Sequence, residues 1–295
     1  RKITGRTRAI ICVHLYGNVC EMDELVALAR KHNLFLIEDC AQAHGATYRG
    51  KKVGTMGHVG AFSFCQSKTF TTGGEGGMVT TDDESVAWSC RSFRDHGYDV
   101  EKRISLLELE GTLPYIHQRV GFNYRMTEMQ SAIGLAELKR IDTWNLPRRR
   151  KNGEILIGGL SGCPQILSLP VHTPEKQNGF FSFPIVLNMD MLTCDKKEFL
   201  KALEAEGVPA WREFWPQSYK ERAYVEHRGF GRARFPFESK EYTDPASVQY
   251  DTVFCPNAAW LEERTFTVQV HPMLEPAHME QIVAGIRKVA AHYAR

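Results

Sequence analysis

Three stretches carry residue types that could do covalent chemistry together: Ile37-Glu38-Asp39-Cys40-Ala41-Gln42, Phe62-Ser63-Phe64-Cys65-Gln66-Ser67-Lys68 and Gly73-Gly74-Glu75-Gly76-Gly77. An acid closes an apolar run, and a lysine follows between a serine and a glycine cluster. A lysine amine forms a Schiff base with an aldehyde, and an acid partners a ring nitrogen. Those are the needs of pyridoxal phosphate (PLP). The cofactor draws electrons only while its ring nitrogen is protonated, and a buried carboxylate beside that nitrogen raises the nitrogen's pKa. Asp39 follows Leu34-Phe35-Leu36-Ile37, which reads as a buried strand. In open α/β sheets the carboxyl ends of strands face the ligand crevice. Gln42 is then close enough to hydrogen-bond the same ring.

Each residue also has a plainer reading. Asp39 is a favoured N-cap for a helix starting near Cys40. A lone lysine is usually a solvated surface charge, and the glycine cluster taken alone is an ordinary hairpin turn. The combination argues against these. Gly60-Ala61-Phe62-Ser63-Phe64 reads as an apolar strand leading into Lys68, and the glycines after Thr72 supply backbone for unusual dihedrals. Ser63 offers a hydroxyl, and such loops offer N–H groups, for a phosphate dianion.

The positioning elements follow from periodicity. Strands are expected at Ala9 to His14, Leu34 to Glu38, Gly60 to Phe64 and Met78 to Thr81, with helices at Met22 to His32 and Glu84 to Arg94. The first strand–helix–strand unit predicts a parallel pair with a right-handed crossover. Asp99 to Gln118 is polar and broken and reads as a surface excursion. A helix is expected from Thr127 to Trp144, running past Pro147 into a second helical piece. The following Arg148-Arg149-Arg150-Lys151 reads as a solvated helix start. Beyond Gly158-Gly159 come a strand at Phe180 to Leu187, a helix at Asp195 to Glu206 ending at Gly207, and a final helix at Glu280 to His292. The expected division is a large α/β domain with a mainly parallel sheet over 1–150 and a small C-terminal α+β domain over 151–295.

Several ordered motifs resemble the DegT/DnrJ/EryC1/StrS aminotransferases: His14-Leu15-Tyr16-Gly17, Ile37 through Gly45, Gly60 through Phe64, Ser67-Lys68, Gly74-Glu75-Gly76-Gly77, Arg94-Asp95-His96-Gly97 and Gly121 through Gln130. The resemblance runs from about residue 9 to 145 and fades beyond. It implies the aspartate-aminotransferase-like fold (fold type I) and PLP as cofactor. The reaction it implies moves an amino group from glutamate or glutamine to a keto sugar, nucleotide-linked, or to a keto cyclitol. Residue by residue it implies Lys68 as the Schiff-base lysine, Asp39 as the pyridinium partner, Gln42 beside the ring hydroxyl and Ser63 on the phosphate. Asn123 would reach the phosphate from a neighbouring subunit, so a homodimer with shared active sites is expected. Asn123 otherwise reads as a turn or cap residue before the helix near Thr127. In the family's PLP dehydratases a histidine replaces the lysine, so Lys68 argues against that activity. A regulatory relative or an inactive fragment is the remaining alternative.

The family has a segment upstream, carrying a helix N-terminus for the phosphate and an aromatic that stacks on the ring. Neither is identifiable here, so the chain reads as N-terminally truncated. Composition sets outer bounds. The 295 residues are 43% hydrophobic, and 37 basic against 35 acidic side chains give a net charge of +2, which does not suggest nucleic acid. No apolar stretch approaches bilayer length, so no membrane partner is expected. The eight cysteines form no Cys-x-x-Cys pair and several sit in apolar runs, which fits a reducing cytoplasm. The histidines lack metal-ligand spacing, so no metal is expected. His44 reads as structural. Trp211-Arg212-Glu213-Phe214-Trp215 could stack on a sugar nucleotide or plug an interface. Arg228, Arg232 and Arg234 could meet a diphosphate or form a solvated loop.

Overall fold

The computed structural model describes residues 2–104, 117–211, 217–232, 234–239 and 249–295. The chain divides into two compact units. One comprises Arg1–Gly159, Pro170–Phe183 and Gln269–Glu280, the other Leu160–Leu169, Pro184–Val268 and Gln281–Arg295. Residue 150 therefore lies inside the first unit.

The first unit opens with β1 (Ala9–Val13), α1 (Met22–His32) and β2 (Phe35–Asp39). Helix α1 has the end charges its dipole favours, with Asp23 and Glu24 in the first turn and Arg30, Lys31 and His32 in the last. Asn33 ends it in the left-handed conformation, φ 51°, returning its N–H to the carbonyls of Ala29 and Arg30. Met22 and Ala29 bury against Leu34, Leu36 and Cys40. The chain thus returns as a strand parallel to the first, in register from Ala9 opposite Phe35 to Val13 opposite Asp39. A small hairpin, β3 (Thr47–Tyr48) and β4 (Lys51–Lys52), precedes β5 (Val59–Ser63). Strand β5 runs parallel to β2 with Ala61 opposite Asp39, and β6 (Gly77–Thr80) folds back antiparallel with Gly77 opposite Ser63. The sheet order is β1-β2-β5-β6.

Helix α2 (Glu84–Arg94) is capped by Asp83, whose carboxylate accepts from Ser85 and Val86 N–H. Helix α3 (Glu128–Arg140) starts at a capping box of Thr127 and Gln130. A π-helical turn, Ile141–Asn145, then leads into α4 (Leu146–Leu160). The helix expected to run unbroken to Trp144 is widened here because Pro147 removes one backbone donor and crowds the preceding turn.

Strands β7 (Ile166–Ser168), β9 (Phe183–Leu187), β10 (Ala210–Trp211) and β11 (Thr265–Val268) form a second sheet in the order β10-β11-β9-β7, with β10 antiparallel to β11 and β7 antiparallel to β9. Strand β8 (Lys176–Gln177) instead joins β3 in the first unit. In the second unit α5 (Lys196–Ala205) is capped by Asp195 and followed by Gly207 at φ +74°. A helix α6 (Pro256–Glu262) and the last helix, α7 (Pro276–His292), complete the elements that matter here. Phe199, Leu203, Phe266, Ile286 and Val289 are buried in that unit. The strand expected from Phe180 begins only at Phe183. The residues before it run along the 16–17 turn, with Gly179 N–H donating to Gly17 O and Phe181 N–H to Tyr16 O, both at 3.0 Å.

Candidate active site

Parallel pairing puts the carboxyl ends of β1, β2 and β5 side by side, and the sequence-predicted acid and serine close two of them. No helix begins at Cys40; the next element after Asp39 is β3. The N-cap reading of Asp39 therefore does not hold. Asp39 is half-buried. Its Oδ1 accepts from Ala41 N–H at 3.0 Å, a local Asx turn. Among the described residues its second oxygen has no hydrogen-bond partner. Ser63 ends β5, and its Oγ accepts a long 3.5 Å contact from Cys65 N–H.

Lys68 lies on the loop between β5 and β6. That loop is closed by backbone bonds from Phe64 N–H to Gly76 O (2.8 Å) and Thr72 N–H to Phe64 O (3.1 Å). The start of α3 grips it too, as Gln130 Nε2 donates to Glu75 O at 2.8 Å. The Lys68 ammonium sits 4.9 Å from the centre of the Phe181 ring, a cation–π distance. Among the described residues it has no hydrogen-bond or ion-pair partner.

Gln42 is committed differently from expectation. Its Oε1 accepts from Tyr16 N–H at 2.7 Å, which leaves only its NH2 to offer a ligand. Tyr16 holds φ 60°, a conformation an aromatic residue adopts only when its neighbours over-determine it. The Gln42 oxygen and the Phe181 N–H supply that constraint. Gly17 follows at φ +91°, and a Cβ there would lie 2.7 Å from Phe180 N. A side chain would push the 178–181 segment, and so Phe181, away from Lys68.

Among the described residues no hydrogen bond links Asn123 to these groups. Asn123 is exposed, bridges Asp95 through the backbone, and its side chain makes no hydrogen bond among the described residues. Exposed apolar residues surround it in sequence: Val120 (87% exposed), Phe122, Tyr124 and Met129.

The surroundings of several neighbours are not legible in the sequence. His44 is buried in a cage of Phe62, Phe64 and Phe70, with ring centres 5.7 to 6.0 Å away. Among the described residues neither of its nitrogens has a hydrogen-bond partner, and burial pushes its pKa down to about 4. The basic run is not a solvated helix start. Arg149 is buried, donating from Nε to Asn145 Oδ1 (2.8 Å) and from Nη1 to Phe180 O (3.0 Å). Arg150 donates to Asn178 O and Gly45 O. The run is covered because the 178–181 segment folds over the start of α4, and local charge patterning carries no trace of that. The spacing of Asn145 and Arg149, one helical turn apart, is the signal that could have found the pair.

His14, Glu38 and Cys40 bring ligand-type atoms within 4.8 Å of one another, all buried. The ligand-type atoms of His14 and Glu38 are already employed, and the Cys40 thiol donates to Glu38 O at 3.7 Å. His14 Nε2 donates to Glu38 Oε2 at 3.1 Å, and His14 Nδ1 accepts from Cys20 N–H at 3.2 Å. The Glu38 carboxylate accepts from Gly54, Met56 and Gly57 N–H at 2.6 to 2.8 Å. The cluster is a hydrogen-bonded support for the end of β2. Arg228 and Arg234 are exposed and bonded to Glu226 and Glu238. Of the aromatic stretch at 211–215 only Trp211, half-exposed at the end of β10, is within the described residues. No helix among the described residues is long and apolar enough to cross a membrane.

A family model for the DegT/DnrJ/EryC1/StrS aminotransferases matches residues 1–247. The chain belongs to that family. GDP-perosamine synthase of Caulobacter vibrioides is 50% identical over 219 residues, 72% of this chain and 54% of that protein. A dTDP-4-dehydro-2,6-dideoxy-D-glucose 3-dehydratase of Saccharopolyspora spinosa is 38% identical across 98% of this chain and 60% of its own length. The crystal structure of an aminotransferase from Psychrobacter cryohalolentis superposes with a TM-score of 0.84 at 33% identity, covering 99% of this chain and 70% of that one. The chain spans about half to two thirds of the length of the curated relatives it matches. The fold is that of the fold type I PLP enzymes, and PLP is the family's cofactor.

The residues present fit that group. An unpartnered carboxylate oxygen and an unpartnered amine suit a cationic ring nitrogen and an aldehyde. Thr69 Oγ1, next to Lys68, is likewise buried with no hydrogen-bond partner among the described residues, as a polar group that serves a ligand would be.

Proposed function

We propose that this chain carries the catalytic core of an aminotransferase that moves an amino group from glutamate or glutamine onto a keto sugar held on a nucleotide. The observation that carries the reading is Lys68. It is a half-buried amine with no oxygen partner among the described residues, held over an aromatic ring at the carboxyl edge of the parallel strands. When bound, PLP supplies the electron sink. Asp39 Oδ2 would hold the proton on the ring nitrogen, and its Asx turn fixes the carboxylate so that no side-chain reorganisation is needed. The Gln42 NH2 would face the ring oxygen, its own oxygen being tied to Tyr16. The Ser63 hydroxyl would donate to the phosphate. Lys68, once released from the cofactor, would carry the proton between the substrate carbon and the cofactor as general base.

The perosamine synthase similarity supports a nucleotide-linked sugar substrate. The dehydratase similarity supports a second reading, loss of water at the sugar ring; Lys68 in place of histidine weighs against it. A homodimer with shared sites is supported by the exposed Asn123 in a stretch of sequence that exposes Val120, Phe122, Tyr124 and Met129, since exposed apolar groups in number mark interaction sites.

Borohydride reduction of the full-length protein with PLP, followed by peptide mapping, tests the reading. The cofactor should be fixed to Lys68, and Lys68→Ala should abolish both trapping and conversion of PLP to pyridoxamine phosphate by glutamate. Trapping on another lysine overturns the assignment.

A further inference from the structure

A ring of interactions closes around Lys68. Thr69, its immediate successor, has its carbonyl taken by Asn145 Nδ2 at 2.8 Å, in a buried bond. Asn145 Oδ1 accepts from Arg149 Nε at 2.8 Å, and Arg149 Nη1 reaches the Phe180 carbonyl at 3.0 Å. The next residue, Phe181, presents its ring to the Lys68 ammonium. From the other side, Phe181 N–H bonds Tyr16 O, and Tyr16 N–H bonds the Gln42 side chain.

Burying a guanidinium is costly, and a chain retains one when it does something an apolar side chain cannot. Arg149 is 6% exposed and has no carboxylate partner among the described residues; burial lowers its pKa to about 10. A leucine or methionine would fill the volume but leave the Asn145 oxygen and the Phe180 carbonyl unpaired. What the planar fork supplies is fixed geometry between two segments distant in sequence. Asn145 ends the π turn Ile141–Asn145, so the widened helix aims its amide at the Lys68 loop. Phe180 itself is held at φ 47°, a backbone state that needs such anchoring.

We propose that Asn145 and Arg149 are positioning residues for the Lys68 amine, a buried clamp joining the backbone after Lys68 to the backbone before the ring that faces it. The proposal rests on Lys68 being the reactive lysine. It predicts that loosening the clamp changes what Lys68 does before it changes whether the protein folds.

Asn145→Asp separates the two. The carboxylate still accepts from Arg149, as an ion pair, but has no proton to donate to the Thr69 carbonyl. Arg149→Lys keeps the charge and loses the fork. Both are made in the full-length protein. In the cofactor-free protein, the rate at which an N-hydroxysuccinimide ester acylates Lys68 is followed by peptide mapping; it should rise severalfold in Asn145→Asp as the amine leaves the Phe181 ring. With PLP bound, kcat should fall on the order of tenfold to a hundredfold, as for a misplacement of about 1 Å. KM should stay within about twofold, since ground-state binding is untouched. A folded Asn145→Asp with unchanged Lys68 acylation and unchanged kcat overturns the clamp. Loss of folding in Asn145→Asp also overturns it, assigning the pair to the core alone. Borohydride trapping of the wild-type protein on a different lysine removes the reading of Lys68 first. Trapping on Lys68 with an insensitive Asn145→Asp removes only the clamp.

Discussion

Replacing Glu38 by glutamine should destabilise the protein far more than its near-isosteric shape suggests. Glu38 and His14 are both fully buried. Glu38 Oε1 accepts from Met56 and Gly57 N–H, and Oε2 from Gly54 N–H and His14 Nε2. A glutamine has one acceptor oxygen. Turned one way, its NH2 faces the donors of Met56 and Gly57 and leaves both unpaired. Turned the other way, it leaves Gly54 unpaired and confronts His14, which can reverse its tautomer only by abandoning Cys20 N–H. Either orientation orphans two buried or part-buried donors, at up to about 1–3 kcal/mol each, or up to about 2–6 kcal/mol together. Against a native stability of about 5–15 kcal/mol that is a large fraction. The assay is urea unfolding of the full-length protein at neutral pH, followed by circular dichroism at one protein concentration, with exposed Glu204→Gln as control. Acid adds a second arm. Burial pushes the Glu38 carboxyl up, but His14 and the three backbone N–H groups outweigh it and hold it below its ordinary 4.5. The folded state therefore resists protonation. Its contribution is intact above about pH 4.5 and is lost as pH falls through the depressed folded value, so the gap between wild type and variant should close in acid. A destabilisation within about 0.5 kcal/mol, the size of an ordinary surface change, would refute the reasoning.

Asp39→Asn should leave PLP bound but slow half-transamination by about a hundredfold or more, because an amide does not stabilise a protonated ring nitrogen; single-turnover spectroscopy reads this, and a near-wild-type rate counts against the role. His44 has a folded pKa of about 4 against 6.5. The unfolded chain takes up its proton first, so this group should erode stability between pH 6.5 and about 4, by up to about 3 kcal/mol. His44→Phe should flatten that part of the urea-midpoint profile, and an unchanged slope would contradict the assignment. Mixing inactive Lys68→Ala subunits with inactive Asn123→Leu subunits should restore one good site per mixed dimer. Verified heterodimers without activity would place Asn123 in its own subunit's service.

Local signals in the sequence determine the elements. Helices α1 and α2 run over the residues that apolar spacing and end charges mark out, Met22–His32 and Glu84–Arg94. The strand–helix–strand order suffices for the parallel pairing of β1 and β2, because short right-handed crossovers leave little choice. The same order carries Asp39 and Lys68 toward one edge of the sheet. What each polar group bonds to was decided only by tertiary structure. Gln42 spends its oxygen on Tyr16, a partner 26 residues away. The acid beside Asp39 became a buried acceptor for His14, 24 residues upstream. Arg149, one of four consecutive cations, went inside because Phe180 and Asn145 arrived to receive it. A charged side chain takes its environment from segments far along the chain, so its burial is a property of the assembled fold. The π turn that aims Asn145 at the Lys68 loop is likewise set by how Pro147 meets the packed helices, and nothing in the helical periodicity of Thr127 to Trp144 announces it.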